Sequence, residues 1–350
     1  MTESPELNAL LEWARRAGAS DLHLRSGRPP IVRVDGRLIV GEGAALTTEI
    51  IDKMVAAMLP EHLQVAFKET HEADFAFGDE QLGRFRANAY RQRGLTTVAI
   101  RALAEPSSSM TELGLPAVLE RLATEPRGLI LVTGPTGAGK TTTLGAFIDL
   151  INRSRACNII TIEDPIEILH DDKAAMVSQR EVGVDTLGFA EALRRVLRQD
   201  PDVILVGEMR DMETVDAALT AAETGHLVLS TLHTLDAVET VNRILDFFPN
   251  DLQRQVRLLL AGSLRAVISQ RLLRKADESG MIPAVEILIN TERAAERIAD
   301  PDQTAALYDV IIEGGYYGMV TFEQSILQML ENGDITFDEA MRHATRPSDL

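Results

Sequence analysis

The chain has 350 residues, 25% of them charged and 45% hydrophobic, with a formal net charge of −18. That length suffices for two cores, and the acidic balance speaks against a protein that grips nucleic-acid backbones by bulk charge. The one cysteine, Cys157, excludes an intrachain disulfide framework and a cysteine-based zinc site, and fits a reducing compartment.

The opening stretch "MTESPELNALLEWARRAG" is acidic and lacks the apolar core of a signal peptide. No apolar run approaches the roughly 20 residues that span a bilayer. A soluble, cytoplasmic protein is expected. Residues 1–103 read as one α/β unit. Leu7, Leu10, Leu11 and Ala14 recur at helical spacing, with Gly18 as a stop. The stretches "DLHLRSG", "PPIVRVDGRLIV", "ADFAFGD" and "GRFRANAYRQRGLTTVAIRAL" read as strands, with Asp35-Gly36 a hairpin turn signal. Residues 48–69 predict a helix broken near Pro60. "AEPSSSMTELGLP", rich in Pro, Ser and Gly, marks a linker over 104–118.

From 119 to 350 strand-like runs alternate with helical patterns. The runs are 128–134, 158–164, 202–208 and 226–234. One intervening helix, over 186–198, should present Leu187, Ala190, Leu193 and Leu197 on a single face. Such alternation implies a parallel sheet covered on both sides. Beyond about 249 the chain is expected to be mostly helical, with one strand-like run at 283–289.

Three stretches carry chemistry. "GPTGAGKT" (134–141) follows an apolar strand and precedes a helical pattern, as the phosphate-binding loop G-x-x-x-x-G-K-[ST] demands. Gly134, Pro135, Thr136, Gly137, Ala138 and Gly139 would wrap backbone amides around phosphate oxygens. Lys140 would reach the β- and γ-phosphates, and Thr141, with Thr142 beside it, would ligate Mg²⁺. "TIEDPIE" puts Glu163 and Asp164 at a strand's carboxyl end, where ligands of open α/β sheets gather. "DPDVILVGEMRD" ends its strand on Gly207 and Glu208, where such enzymes usually place an Asp. Gly207 would leave room for a ligand, and Glu208 would reach the metal, in part through water.

His226 and His233 bracket a strand that separates them by about 20 Å, so a straight strand keeps them from sharing a metal. Arg91 and Arg93 read as a solvated edge-strand face. Arg194 and Arg198 fit either a solvated helix face or a contact to nucleotide or a neighbouring subunit.

Together with "GASDLHL" and "AAETGHLVLSTLHT", these motifs resemble the secretion ATPases of type II secretion and type IV pili, within them the pilus-retraction branch. The resemblance runs from residue 8 to roughly 335, and "SLRAVISQRLL" and "GGYYGMVTFEQSI" share it. It implies a PAS-like N-terminal domain, a RecA-like P-loop ATPase domain, a homohexameric ring, ATP between the two domains, and a PilC-like platform protein in the inner membrane, through which the ring is peripheral to that membrane. It assigns Glu163 as the candidate base, Glu208 to the metal side, His233 as the residue that senses the γ-phosphate or couples it to domain motion, and Arg86 and Arg101 as arginines that reach ATP. The division between Glu163 and Glu208 stays open at this point. The absence of a four-cysteine element favours the retraction branch. That branch carries Ala-Ile-Arg-Asn-Leu-Ile-Arg-Glu where this chain reads "RAAERIAD" (293–300), so an accessory motor of the PilU kind or a divergent secretion or pilus-assembly ATPase fits the same motifs. A RecA-like nucleic-acid translocase and a non-catalytic nucleotide-binding ring subunit are the rivals from other classes.

Overall fold

The computed structural model describes residues 4–34, 36–79, 83–103 and 109–346. The chain divides into two units, Met1–Pro106 with Pro165–Leu169, and Ser107–Asp164 with His170–Leu350.

In the first unit, helix α1 (Pro5–Arg16) starts where Ser4 accepts the Leu7 amide and Pro5 presets the first turn. Its Leu7, Leu11 and Ala14 are buried. Helices α2 (Thr48–Met58) and α3 (Glu61–Thr70) part at Pro60, whose missing N–H cannot continue a helix. The strands are β1 (Asp21–Arg25), β2 (Ile31–Val34), β3 (Arg37–Val40), β4 (Glu72–Asp79), β5 (Gly83–Gln92) and β6 (Leu95–Ala102). They form one antiparallel sheet in the order β3-β2-β1-β6-β5-β4. Asp35 of the expected hairpin turn lies outside the described residues, and Val34 pairs with Arg37 across it. The long strand-like stretch after residue 83 is in fact two strands. Arg93 and Gly94 turn between them with φ +53° and +78°, the positive pair that a tight hairpin requires.

The second unit holds β7 (Gly128–Thr133), β8 (Asn158–Glu163), β9 (Met176–Glu181), β10 (Val203–Val206), β11 (Leu227–Leu232), β12 (Leu264–Arg274) and β13 (Met281–Ile289). Their order is β13-β12-β7-β11-β10-β8-β9, and each neighbouring pair is parallel except β12 with β13. Helices α4 (Val118–Leu122), α5 (Lys140–Ser154), α6 (Phe189–Val196), α7 (Met212–Glu223), α8 (Ala237–Asp246), α9 (Asn250–Ser263), α10 (Glu292–Ala299), α11 (Leu307–Glu313), α12 (Phe322–Asn332) and α13 (Phe337–His343) complete it. Leu129 and Leu131 of β7 pack with α6 to α9; Ile130 and Val132 pack with α4 and α5. Both faces of the strand are dry, so it reads as an unbroken apolar run. Residues 104–108 of the expected linker lie outside the described residues. Met110 and Leu115, further along it, are buried in the core of the second unit.

Three expectations are corrected here. The region past 249 carries helices α9 to α13 as expected, but it also holds a strand that was not expected, β12, which pairs with β7 and β13. Its Ala266, Val267 and Ile268 are buried on alternating faces, and such a run cannot be told from a buried helix by periodicity. The edge strand β9 was not expected, because an edge strand needs little apolar sequence. The helix placed at 186–198 starts only at Phe189. Gly188 is extended before it, so Leu187 points to solvent at 87% exposure and the inward face is Ala192, Leu193 and Val196.

Candidate active site

The parallel strands bring their carboxyl ends to one edge, in the order β7, β11, β10, β8. The phosphate loop leaves β7 there. Gly134 has φ +140°, and a Cβ on it would stand 2.3 Å from the Gln270 carbonyl oxygen. Gly139, φ +86°, is the N-cap of α5 and supplies no capping side chain, so the opening amides of the helix are offered to an anion. Pro135, Thr136 and Gly137 form an exposed crest, Ala138 is buried, and Thr141 and Thr142 stand on the first turn of α5.

Lys140 Nζ donates to the carbonyls of Gly134 (2.7 Å) and Pro135 (3.0 Å) and lies 3.4 Å from His233 Nδ1. Burial pulls the ammonium below its ordinary pKa, opposed by the charge of Glu208. An ammonium only donates, so Nδ1 of His233 accepts and Nε2 carries the ring proton. Nε2 faces Glu208 Oε1 at 3.1 Å, and Glu208 Oε2 pairs with Arg210 at 2.8 Å. The Thr231 hydroxyl donates to the Gly207 carbonyl at 2.7 Å, which ties the tip of β10 to β11. Lys140, His233, Glu208 and Arg210 therefore form one polar line across three strand tips.

Glu163 stands outside that line. β8 is three strands from β7, roughly 14 Å at the usual spacing. Its carboxylate is buried and accepts from the Thr161 hydroxyl (2.6 Å) and the Gln179 amide (3.1 Å). Asp164 beside it is exposed. Gly207 does not open space for a ligand as the sequence suggested. A Cβ there would meet the Ile162 carbonyl at 3.2 Å and the Glu163 Cα at 3.4 Å, so the room is taken by the backbone of β8.

His226 lies before β11, its Nδ1 2.9 Å from the Ala221 carbonyl. Among the described residues no group of three or more His, Cys, Asp or Glu could hold a metal by itself. Arg86 and Arg101 face each other across β5 and β6 in the first unit. Like charges so placed repel, and each has its own acid: Asp74 at 3.9 Å from Arg86, Asp21 at 2.8 Å from Arg101. Arg194 pairs with Glu213 at 3.2 Å on an exposed face, and Arg198 is exposed.

Sequence reasoning passed over Arg210, Gln179 and Gln270. For Gln270 there was a signal, a lone amide inside the apolar run "AVISQRLL". It lines a cleft of about 280 Å³ beside Gly139 and Thr142, together with Leu113, Leu115, Leu272 and Ile282.

Residues 80–342 match the family model "Type II/IV secretion system protein". The chain is 43% identical to the type IV pilus retraction ATPase PilT of Pseudomonas aeruginosa over 99% of its own length and 100% of that protein. To the type IV pilus ATPase PilU of the same organism it is 39% identical, over 99% and 90%. The crystal structure of the pilus retraction motor PilT with bound ADP superposes with a TM-score of 0.91, covering 98% of each chain. With this fold, this phosphate loop and these relatives, the chain belongs to the type II/IV secretion system protein family and is an ATPase.

Proposed function

We propose that this chain is the motor ATPase of pilus retraction and hydrolyses Mg-ATP at the loop 134–141. The observation that carries the reading is the line from Lys140 through His233 to Glu208. The loop amides and the Lys140 ammonium hold the β- and γ-phosphates. Phosphate oxygens replace the Gly134 and Pro135 carbonyls as partners of Nζ, and their negative charge offsets the burial that disfavours the ammonium. The Thr141 hydroxyl and the Glu208 carboxylate are hard oxygen donors of the type Mg²⁺ prefers. When bound, the ion neutralises charge between the β- and γ-phosphates.

Glu208 is the carboxylate best placed to orient the attacking water or accept its proton. Glu163, also a candidate base, holds the tip of β8 through Thr161 and Gln179 and is tested beside it. His233 senses the γ-phosphate, because its Nδ1 loses a donor when Lys140 turns to phosphate. The working form is a homohexamer docked on a PilC-like platform protein at the inner face of the membrane. Among the described residues no helix is long and apolar enough to cross a bilayer, consistent with attachment through a partner.

Purified protein with Mg-ATP should release phosphate, and Lys140→Ala should abolish that release; equal rates would sink the site. Deleting the gene should leave surplus static filaments on the cell. Loss of all filaments would point to assembly instead.

A further inference from the structure

Gln270 sits on β12, outside the phosphate loop in sequence, yet it touches that loop at both ends. It is 2% exposed. Its backbone carbonyl closes on Gly134, 2.3 Å from where a Cβ would be. Its side-chain Nε2 lies 2.8 Å from the Cβ position of Gly139, and its Oε1 accepts from the Thr143 hydroxyl at 2.8 Å. One residue earlier, Ser269 Oγ meets Thr133 Oγ1 at 2.9 Å, at the last residue of β7. The first glycine of the loop, the last glycine and the first turn of α5 thus rest on one amide side chain and its own carbonyl.

We infer that Gln270 is a positioning residue for ATP: it sets the spacing between Gly134 and Gly139 and so the loop's grip on the phosphates. The physical reason is that backbone amides bind an anion only when several point at it together, and a shift of a few tenths of an ångström at one end breaks the convergence. The polar floor also explains why an amide occupies a buried position between Ser269 and apolar neighbours. A leucine there would leave the Thr143 hydroxyl without its partner. On this inference the spacing of Gly134 and Gly139 serves ground-state grip, so loosening it weakens binding and leaves the chemical step largely intact. This inference rests on ATP being the ligand of the loop.

The test uses the full-length protein, Mg-ATP turnover, and a fluorescent ADP analogue for affinity. Gln270→Met keeps the side-chain length and removes the amide. Gln270→Asn keeps the amide and withdraws it by one methylene. Both should raise KM for ATP and Kd for the analogue together, by about tenfold, with kcat at saturating ATP within about twofold, while the unpaired Thr143 hydroxyl lowers Tm in Gln270→Met. Thr143→Val should give a smaller rise in the same direction, and the double variant with Gln270→Met should cost little more than Gln270→Met alone. A fall in kcat with KM and Kd unchanged would mean a damaged core and overturn the inference, as would parental KM and Kd in both Gln270 variants. Should Gln270→Met not fold, Gln270→Asn and Thr143→Val decide. Failure of the parent protein itself to bind the analogue or turn over ATP would instead overturn the ATPase reading.

Discussion

His233 Nδ1 stands 3.4 Å from Lys140 Nζ while its Nε2 stands 3.1 Å from Glu208. One imidazole therefore bridges the cation of the phosphate loop and the carboxylate of the next strand. Replacing His233 by Ala should preserve nucleotide affinity, because the loop itself is untouched. It should lower kcat by about a hundredfold, as expected when a positioned polar group in the reacting line is lost. Binding of a fluorescent ADP analogue and steady-state turnover separate the two effects. A parallel loss of affinity and turnover would place His233 in phosphate binding instead.

The two carboxylates make different predictions. Glu208→Gln should retain ATP binding and lower kcat by about 10²- to 10⁴-fold, the range for a group that handles a proton or orients water. Glu163→Gln keeps an acceptor for Thr161 and Gln179 and should cost less than tenfold. The reverse order of severity would move the base to Glu163. Chelation of Mg²⁺ should stop turnover in the parent protein, and Thr141→Ala should raise the Mg²⁺ concentration needed for half-maximal rate.

Gly207→Ala tests whether the tip of β10 must be close to β8. The added methyl meets the Ile162 carbonyl at 3.2 Å, so the two strands must part slightly. A cost of about 1–3 kcal/mol is expected for such overpacking, read as a lowered midpoint in urea. Because Glu208 is the next residue, kcat should fall as well. Unchanged stability would show that β8 yields freely there.

Glu286 provides the pH test. It is buried on β13, where burial pushes its carboxyl up to about 7 although the Ala237 amide donates to it. The unfolded carboxyl titrates near 4.5. The folded state thus keeps the proton longer. The stability this gives is fully present below pH 4.5 and is lost as pH rises through 7, by about 3 kcal/mol. Glu286→Gln keeps an acceptor for Ala237 and removes the titration. Its Tm should fall less between pH 5 and 8 than that of the parent; identical pH profiles would show that Glu286 stays charged.

The sequence revealed best what local chemistry dictates. The phosphate loop, the apolar parallel strands and the break at Pro60 each follow from residues close in the chain. Strand β12 was missed because a strand buried on both faces has no alternation to read. The inward face of α6 was misjudged because one extended residue, Gly188, shifts where the helix begins. The sequence assigned Glu163 as base and Glu208 to the metal side by resemblance and left that division open, since both lie at a strand's carboxyl end. Their distance from the phosphate loop follows strand order, with β10 two places from β7 and β8 three, and order in a sheet is a long-range property. Gln270 was hidden for the same reason, as its partners are more than a hundred residues away.

The five residues Pro165–Leu169 belong to the first unit although the second unit's chain runs on both sides of them. Ile166 and Ile168 are buried, and the Ile166 carbonyl accepts from Arg84 at 3.0 Å. The N-terminal unit is thus not a contiguous module. A fragment ending at Pro106 would lack part of its own packing, and a chimera that exchanges residues 1–106 between two such motors would carry a mismatched insert. Any swap that keeps both parts native must be spliced in two places, at the front of the chain and again just after Asp164.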